Sequence, residues 1–360
     1  MLKDKNVLFI VRTMGLGGTE NVVLQLCEIL KNHVNKIVVC SSGGVHEVFL
    51  KENGIKHYTI PDIASKKPCD IVNCILNIKR IVKDEKINII HSHHRMAAFY
   101  AQFINCNNIV KIASVHNTFF DKKILTRFAY KNTQIIPVGN VVSDNLKNFY
   151  GIDSTMIHII HNSVKPFNGL QKHIRILNDA RSSGKALVGN IGRLSEQKGM
   201  SYFIRAAQIV LQKHSNVVFF LVGEGKLKES LIQLAEEKGI SKNIVFMGYR
   251  DDIQNVISQM DFVVLSSLWE GLPLTPIEAF SVGRTVIGTR VDGTPEIISD
   301  GINGYLVEPR NVKELASKIC YLLEHQEIKQ ELEKNAMKTY LEKFSFERMS
   351  LKYLTFYQNF

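Results

Sequence analysis

Twice along this chain of 360 residues, short apolar runs alternate with stretches of helical periodicity, and nothing else in the sequence constrains the fold as tightly. The first half carries NVLFIVR, KIVVCS, KHYTI, NIIHSH, KIASVHN, QIIPVG and IHIIHNSV, with helical patterns between them such as 19–33 and 71–86. The second half carries KALVGNIGR, VVFFLVG, NIVFMG, DFVVLSS, TVIGTRV and GYLV, with helices expected over 199–214, 226–239, 251–259, 275–283 and 311–325. β-rich runs separated by a helix's length make βαβ units, and those make parallel sheets. The alternation breaks once, over KPFNGLQKHIRILNDARSSG, where Pro166, Gly169 and the run Ser182-Ser183-Gly184 predict a linker. The expected organisation is therefore a domain over 1–165, a linker over 166–184, a second domain over 185–340 and a C-terminal helix over 341–360.

Length agrees, because a chain this long exceeds one ordinary core. Hydrophobic content of 45% and charged content of 22% are those of a globular protein. No apolar run approaches the ~20 residues that span a bilayer. The N-terminus lacks a small-residue cleavage site and reads as a first strand, so a cytoplasmic location is expected. The six cysteines, at 27, 40, 69, 74, 106 and 320, form no Cys-x-x-Cys pair and are expected as free thiols. Residues 1–165 hold 21 Lys and Arg against 12 Asp and Glu, a balance of +9, while the remainder carries +2. A basic first half fits an anionic partner such as a membrane surface. It fits equally a genome rich in Lys, Asn and Ile.

The stretch 261–298, DFVVLSSLWEGLPLTPIEAFSVGRTVIGTRVDGTPEII, carries the densest chemistry. A buried strand runs into a loop holding Glu270, then into a helix holding Glu278. Strand C-terminal edges are where doubly wound sheets bind ligands. Thr275 and Glu278 have the spacing of a capping box, with Pro276 at the first helical position. The helix start then offers free N–H groups and a positive dipole end to an anion, most simply a phosphate. Upstream, Arg193 and Lys198 in NIGRLSEQKG sit in the loop after the domain's first strand. A planar fork and a point charge together can hold a diphosphate as its negative charge develops.

The spacing Glu270-x7-Glu278, with Gly271 directly after the first Glu, resembles the signature of glycosyltransferase family 4, and the Arg193-x4-Lys198 segment resembles it too. The resemblance implies an α/β GT-B fold. Two Rossmann-like domains with parallel sheets would face across a cleft, and the C-terminal helix would cross back to the N-terminal domain. It implies a retaining transfer of a hexose or N-acetylhexosamine from a nucleotide sugar, UDP-linked by default, to a saccharide acceptor. A lipid-linked acceptor for surface polysaccharide suits the basic half, with the enzyme peripheral on the inner face of the membrane. No resident cofactor and no metal are expected, since no Asp-x-Asp follows an apolar strand in the N-terminal half. No nucleic-acid partner is expected.

By the same resemblance, Arg193 and Lys198 contact the donor diphosphate, Glu270 binds hydroxyls of the donor sugar and Glu278 those of the ribose. A carboxylate accepting from a vicinal diol suits each role. Backbone N–H groups of Gly271, Leu272, Leu274 and Thr275, in the loop that contains Pro273, face the diphosphate or sugar. The loop FMGYR places Tyr249 and Arg250 near the base. In TMGLGGTE, Gly17 and Gly18 precede a helix opening at Thr19 and permit positive φ and close backbone approach. Glu20 occupies the place of the third glycine, which disfavours a dinucleotide fingerprint. The Gly-Gly-x-Glu form resembles the family's N-terminal loop, facing the donor phosphates and the acceptor, so Glu20 reaches the acceptor or simply favours the helix start.

His116 closes KIASVHN at a strand edge, where the family's His contacts the donor sugar. His91, His93 and His94 look like a metal cluster but lack a nearby carboxylate or thiolate, so they read as strand and loop residues, with His93 lining the acceptor cleft. In FFDKKILTRFAYK, Lys123, Arg127 and Lys131 fall at helical spacing beside Phe120, Ile124 and Phe128. Such a helix packs on a core or lies on an anionic membrane. Two other classes remain open on sequence grounds. A nucleotide-sugar epimerase of the same fold would turn over donor without acceptor. A non-catalytic polyanion- or membrane-binding protein would bind in a salt-sensitive way without nucleotide.

Overall fold

The structure is a computed structural model that describes residues 2–104, 108–169 and 171–360. The chain divides into two units, one formed by Met1–Asn162 with Met349–Phe360 and the other by Ser163–Arg348.

The first unit contains strands β1 (Asn6–Ile10), β2 (Lys36–Ser41), β3 (Lys56–Thr59), β4 (Ile89–Ser92), β5 (Val110–Val115) and β6 (Gln134–Pro137). They form one parallel sheet in the order β3-β2-β1-β4-β5-β6. The second unit contains β7 (Ala186–Ile191), β8 (Val217–Val222), β9 (Ile244–Gly248), β10 (Phe262–Leu265), β11 (Val286–Thr289) and β12 (Gly304–Val307). Its order, β12-β11-β10-β7-β8-β9, is the same pattern. Each unit is thus doubly wound in the Rossmann manner, and in each the strand order reverses beside the first strand. That reversal, between β1 and β4 and between β7 and β10, opens a crevice at the strands' C-terminal ends.

The apolar runs form strands because both faces of a parallel sheet are covered. Every residue of β1, β8 and β10 is buried. Helix Gly18–Leu30 buries Val22, Val23, Leu26, Cys27, Ile29 and Leu30, a stripe with the 3.6-residue period. In the second unit Phe203 of helix Met200–Leu211 meets Phe219 of β8 edge-on, with ring centroids 5.5 Å apart. Cys27, Cys40, Cys74 and Cys320 are buried free thiols and Cys69 is exposed and free, while Cys106 lies outside the described residues. No helix among the described residues is long and apolar enough to cross a membrane.

The structure departs from the expected pattern in several places. IHIIHNSV is not a seventh strand. It runs beside β6, where His158 N donates to Ile135 O at 2.8 Å and Ile160 N to Pro137 O at 3.3 Å, but it forms only isolated bridges. The expected linker, of which Leu170 lies outside the described residues, includes the helix Arg175–Ser182. It is tied to the second unit because Asn255 and Gln259 bond both backbone groups of Lys172. The second unit accordingly begins at Ser163 and runs to Arg348, past the expected end at 340. The basic amphipathic helix is short, Lys123–Ala129, and enters through Lys122 at a left-handed φ of 46°.

Candidate functional site

The second unit's crevice is built from the loops after β7, β10 and β11. After β7, Gly192–Lys198 ends in a 3₁₀ turn over Glu196–Lys198, and helix Met200–Leu211 follows. Gly199 joins turn to helix at φ 56°, and a β-carbon there would collide with the carbonyl oxygen of Ser266. Glycine at this point lets the two loops touch. Ser266 Oγ donates to Lys198 O and receives the amide of Asn190. Leu268 N donates to Gln197 O at 2.7 Å, and Gln197 Nε2 to Trp269 O at 3.1 Å.

These clasps bring Lys198 and Glu270 together. Lys198 Nζ lies 2.6 Å from Glu270 Oε1, and Ser267 Oγ donates to the same oxygen at 2.6 Å. Both side chains are largely covered, at 17% and 6% exposure. Glu270 N donates to Asp292 Oδ2 at 2.7 Å, and Gly293 N to Gly271 O at 3.1 Å. The loop after β11 therefore holds the Glu270 loop through its backbone. Ser267 is fixed in turn, since Thr289 Oγ1 donates to its carbonyl at 2.6 Å. Arg193 is exposed, and its guanidinium makes no ion pair among the described residues.

Helix Leu274–Ser281 begins two residues earlier than the expected capping box requires. Pro273 is its N-cap residue and no side chain caps it. Thr275 instead directs Oγ1 toward Ile191 O at 3.5 Å, so the Thr275–Glu278 box does not form. Glu278 is left uncapped and half-buried, and burial pushes its carboxyl up to about 7 against the opposing pull of Lys198. Gly271, Leu272, Pro273 and Thr275 are buried and Leu274 half-buried, at the mouth of this helix. In the loop after β9, Tyr249 is 51% exposed. Arg250 is engaged by Asp252 through two bonds of 2.7 and 2.6 Å, a local pairing that the loop motif FMGYR does not announce.

In the first unit the glycine loop works differently from the expectation. Gly15, Gly17 and Gly18 all avoid positive φ. Gly17 is the extended N-cap of helix Gly18–Leu30, and what it supplies is room, because a β-carbon would collide with the Glu20 carboxylate. Glu20 accepts from Thr13 Oγ1 at 2.6 Å.

The ends of β4 and β5 carry the histidines. His91 is fully buried, with Nδ1 2.7 Å from Tyr357 OH and Nε2 2.8 Å from Ser114 Oγ. His93 packs against His91 at 4.4 Å between centroids and against His116 at 5.6 Å. His93 Nδ1 and His116 Nε2 are 3.3 Å apart. His94 caps helix Arg95–Ala101, its Nδ1 accepting from Met96 N at 3.1 Å. Burial lowers these imidazoles, to about 3 for His91 and about 4 for both His94 and His116. They are neutral at physiological pH. His93, His94 and His116 line a cavity of about 440 Å³ with Lys66, Arg95 and Lys122 among its other walls. Among the described residues no three His, Cys, Asp or Glu side chains are placed to hold a metal.

The sequence motifs point to Lys198 and Glu270 but not to Ser267 and Asp292, which hold Glu270. Asp292 had a faint signal: it follows TVIGTRV, so it sits at the end of the strand next to β10.

Comparison with known proteins gives a consistent pattern. A family model described as Glycosyltransferase Family 4 matches residues 16–166, and one described as Glycosyl transferases group 1 matches 176–339. A UDP-Gal:alpha-D-GlcNAc-diphosphoundecaprenol alpha-1,3-galactosyltransferase of Escherichia coli is 26% identical over 329 residues, covering 82% of each chain. A poly(ribitol-phosphate) alpha-N-acetylglucosaminyltransferase of Staphylococcus aureus is 26% identical over 306 residues, which is 79% of this chain but only 58% of that longer protein. Among solved structures, Anabaena HepE in complex with UDP and glucose superposes with a TM-score of 0.85 over 100% of both chains at 17% identity. The last likeness concerns the fold.

Proposed function

The chain belongs to glycosyltransferase family 4 and is a glycosyltransferase with the GT-B fold, and from that premise we propose that it moves a hexose or N-acetylhexosamine from a UDP-sugar to a saccharide acceptor with retention of configuration. The observation that carries the reading is the Lys198–Glu270 pair at the strand reversal of the second unit, with Arg193 uncommitted in the same loop. In this reading Arg193 and Lys198 take the diphosphate and Glu270 the hydroxyls of the transferred sugar. Glu278 takes the ribose diol, the N–H groups of the 271–275 loop face the phosphates, and Tyr249 with Arg250 borders the base. Gly17 and Gly18 let the first unit's loop approach the donor phosphates. Glu20 and His93 serve the acceptor, and His116 hydrogen-bonds a sugar hydroxyl in the reaction complex.

The chemistry balances without a side-chain base. The bond from the sugar's anomeric carbon to the diphosphate oxygen breaks, and a bond to the acceptor oxygen forms on the same face. The acceptor's proton passes to the departing phosphate. Fixed cations at the leaving group stabilise charge that grows during the step, which is where a donor of positive charge accelerates it.

The relative from Escherichia coli is named for a diphosphoundecaprenol acceptor, and a lipid-linked acceptor is the reading adopted for this chain. The surface around helix Lys123–Ala129 supports it. Phe120 is 73% and Ile124 87% exposed, against the core-facing alternative, and Lys122, Lys123, Arg127 and Lys131 are exposed beside them. Apolar side chains among cations are the pattern that seats a protein on an anionic bilayer. Thermal-shift screening tests the donor: UDP and UDP-sugars should raise Tm, and uridine should do so much less. Stabilisation by no nucleotide would remove the donor assignment. Co-sedimentation with anionic vesicles, weakened in Ile124→Glu, tests the surface.

A further inference from the structure

The two histidines at the ends of β4 and β5 share one contact, and only one of its two proton arrangements leaves no buried N–H unpaired. His93 is 3% exposed, and its Nε2 has no hydrogen-bond partner. Its Nδ1 lies 3.3 Å from His116 Nε2. Both rings are neutral, since burial lowers them, so each carries one proton. If the His93 proton sat on Nε2, a buried donor would be orphaned, which is the rarer and costlier defect. If it sits on Nδ1, it donates to His116 Nε2, and what remains on His93 is an unpaired lone pair. His116 must then carry its own proton on Nδ1, the nitrogen for which the described residues supply no partner, on a ring that lines the cavity. The ring nitrogen that makes the second contact sets which nitrogen bears the proton.

We infer that His93 is a positioning residue that locks His116 in the Nδ1–H tautomer, so that His116 meets its ligand as a hydrogen-bond donor through Nδ1 and not as a base. The ligand atom it takes is an acceptor oxygen, such as a sugar hydroxyl or ring oxygen. The inference rests on the proposed role of His116 only for the identity of that ligand; the tautomer follows from the first unit alone. His91 backs the arrangement. Tyr357 and Ser114 fix its ring, and that ring packs on His93.

Long-range ¹H–¹⁵N correlation spectra of the imidazole nitrogens, in histidine-labelled protein without ligand at neutral pH, read the tautomer directly. Both His93 and His116 should show a protonated Nδ1 and an unprotonated Nε2. A protonated Nε2 on His116 overturns the inference. His93→Asn, which keeps an N–H near the Nδ1 position, should preserve the His116 pattern, while His93→Phe should release it toward a mixture. An unchanged spectrum in folded His93→Phe overturns the lock. Transfer assays then test the ligand separately. His116→Asn places an N–H near Nδ1 and His116→Gln near Nε2, so Asn should retain about tenfold more activity, the value of one neutral hydrogen bond. If the tautomer is as stated but the two variants are equally active, the role of His116 in transfer fails and the lock stands.

Discussion

Asp292 Oδ2 accepts the backbone N–H of Glu270 at 2.7 Å, from a residue held at φ 38°, where non-glycine residues are uncommon. The carboxylate at position 292 thus fixes the backbone of the residue whose own carboxylate meets Lys198. Strained backbone at such a point persists because its surroundings hold it.

Asp292→Ala should therefore impair the site more than the fold. A hydrogen bond to a charged group contributes about 1.5–3 kcal/mol. Steady-state kinetics should show kcat/KM for donor reduced by about tenfold or more, with Asp292→Asn intermediate. Wild-type kinetics in the alanine variant would remove Asp292 from the site's support.

Gly199→Ala should be far more damaging than an ordinary exposed Gly→Ala. The position needs a left-handed conformation, which costs an L-residue about 1–2 kcal/mol, and the new methyl meets the Ser266 carbonyl. Chemical denaturation should show a loss beyond that figure, with transfer activity falling alongside. Wild-type stability would mean that the β7 and β10 loops are not clasped as described.

The two units should respond to acid in opposite senses. Burial raises Glu278 from 4.5 to about 7, so the folded second unit binds more protons than the unfolded chain between those values. Its contribution is fully present below about pH 4.5 and is lost as pH rises to about 7. Burial lowers His94 and His116 from 6.5 to about 4 and His91 to about 3, so the folded first unit binds fewer protons in that window and loses stability as pH falls from 6.5. Hydrogen exchange at pH 5 and pH 8 should show β4 and β5 better protected at the higher pH. In Glu278→Gln the pH slope of the second unit should flatten. Parallel behaviour of both units would contradict the assignment of these groups.

Transfer should survive chelation. The leaving diphosphate is assigned to Arg193 and Lys198, which need no metal to carry charge. Assays with EDTA should match those without. Loss of activity that a divalent ion restores would show that these cations are not enough.

Much of the fold was legible because parallel strands buried on both faces must be apolar throughout, and runs such as VVFFLV and FVVL declare themselves. What misled was local chemistry overridden by tertiary contact. IHIIHNSV has strand composition but lies along an edge that it does not fully pair. Thr275 and Glu278 have capping-box spacing, yet the helix begins at Leu274 and Thr275 turns to Ile191. The glycines before Glu20 suggested positive φ, whereas Gly17 stays extended and makes space for a carboxylate. Lys198 and Glu270, 72 positions apart, could be named by motif, but their direct contact could not. Asp292 was hidden for the same reason, since its part depends on a neighbouring strand and on a backbone angle that sequence does not display.

In the proposed function the second unit's strand ends hold a nucleotide diphosphate on fixed cations, and removing one of those cations tests it most directly. Arg193 is exposed and makes no ion pair among the described residues, so removing it tests the claim without disturbing the fold. Calorimetric titration of UDP and of uridine into the wild type and Arg193→Ala measures what the diphosphate contributes. UDP should bind the wild type much more tightly than uridine does, and the gap should shrink by about tenfold or more in the variant. An equal gap in both proteins would contradict the diphosphate assignment.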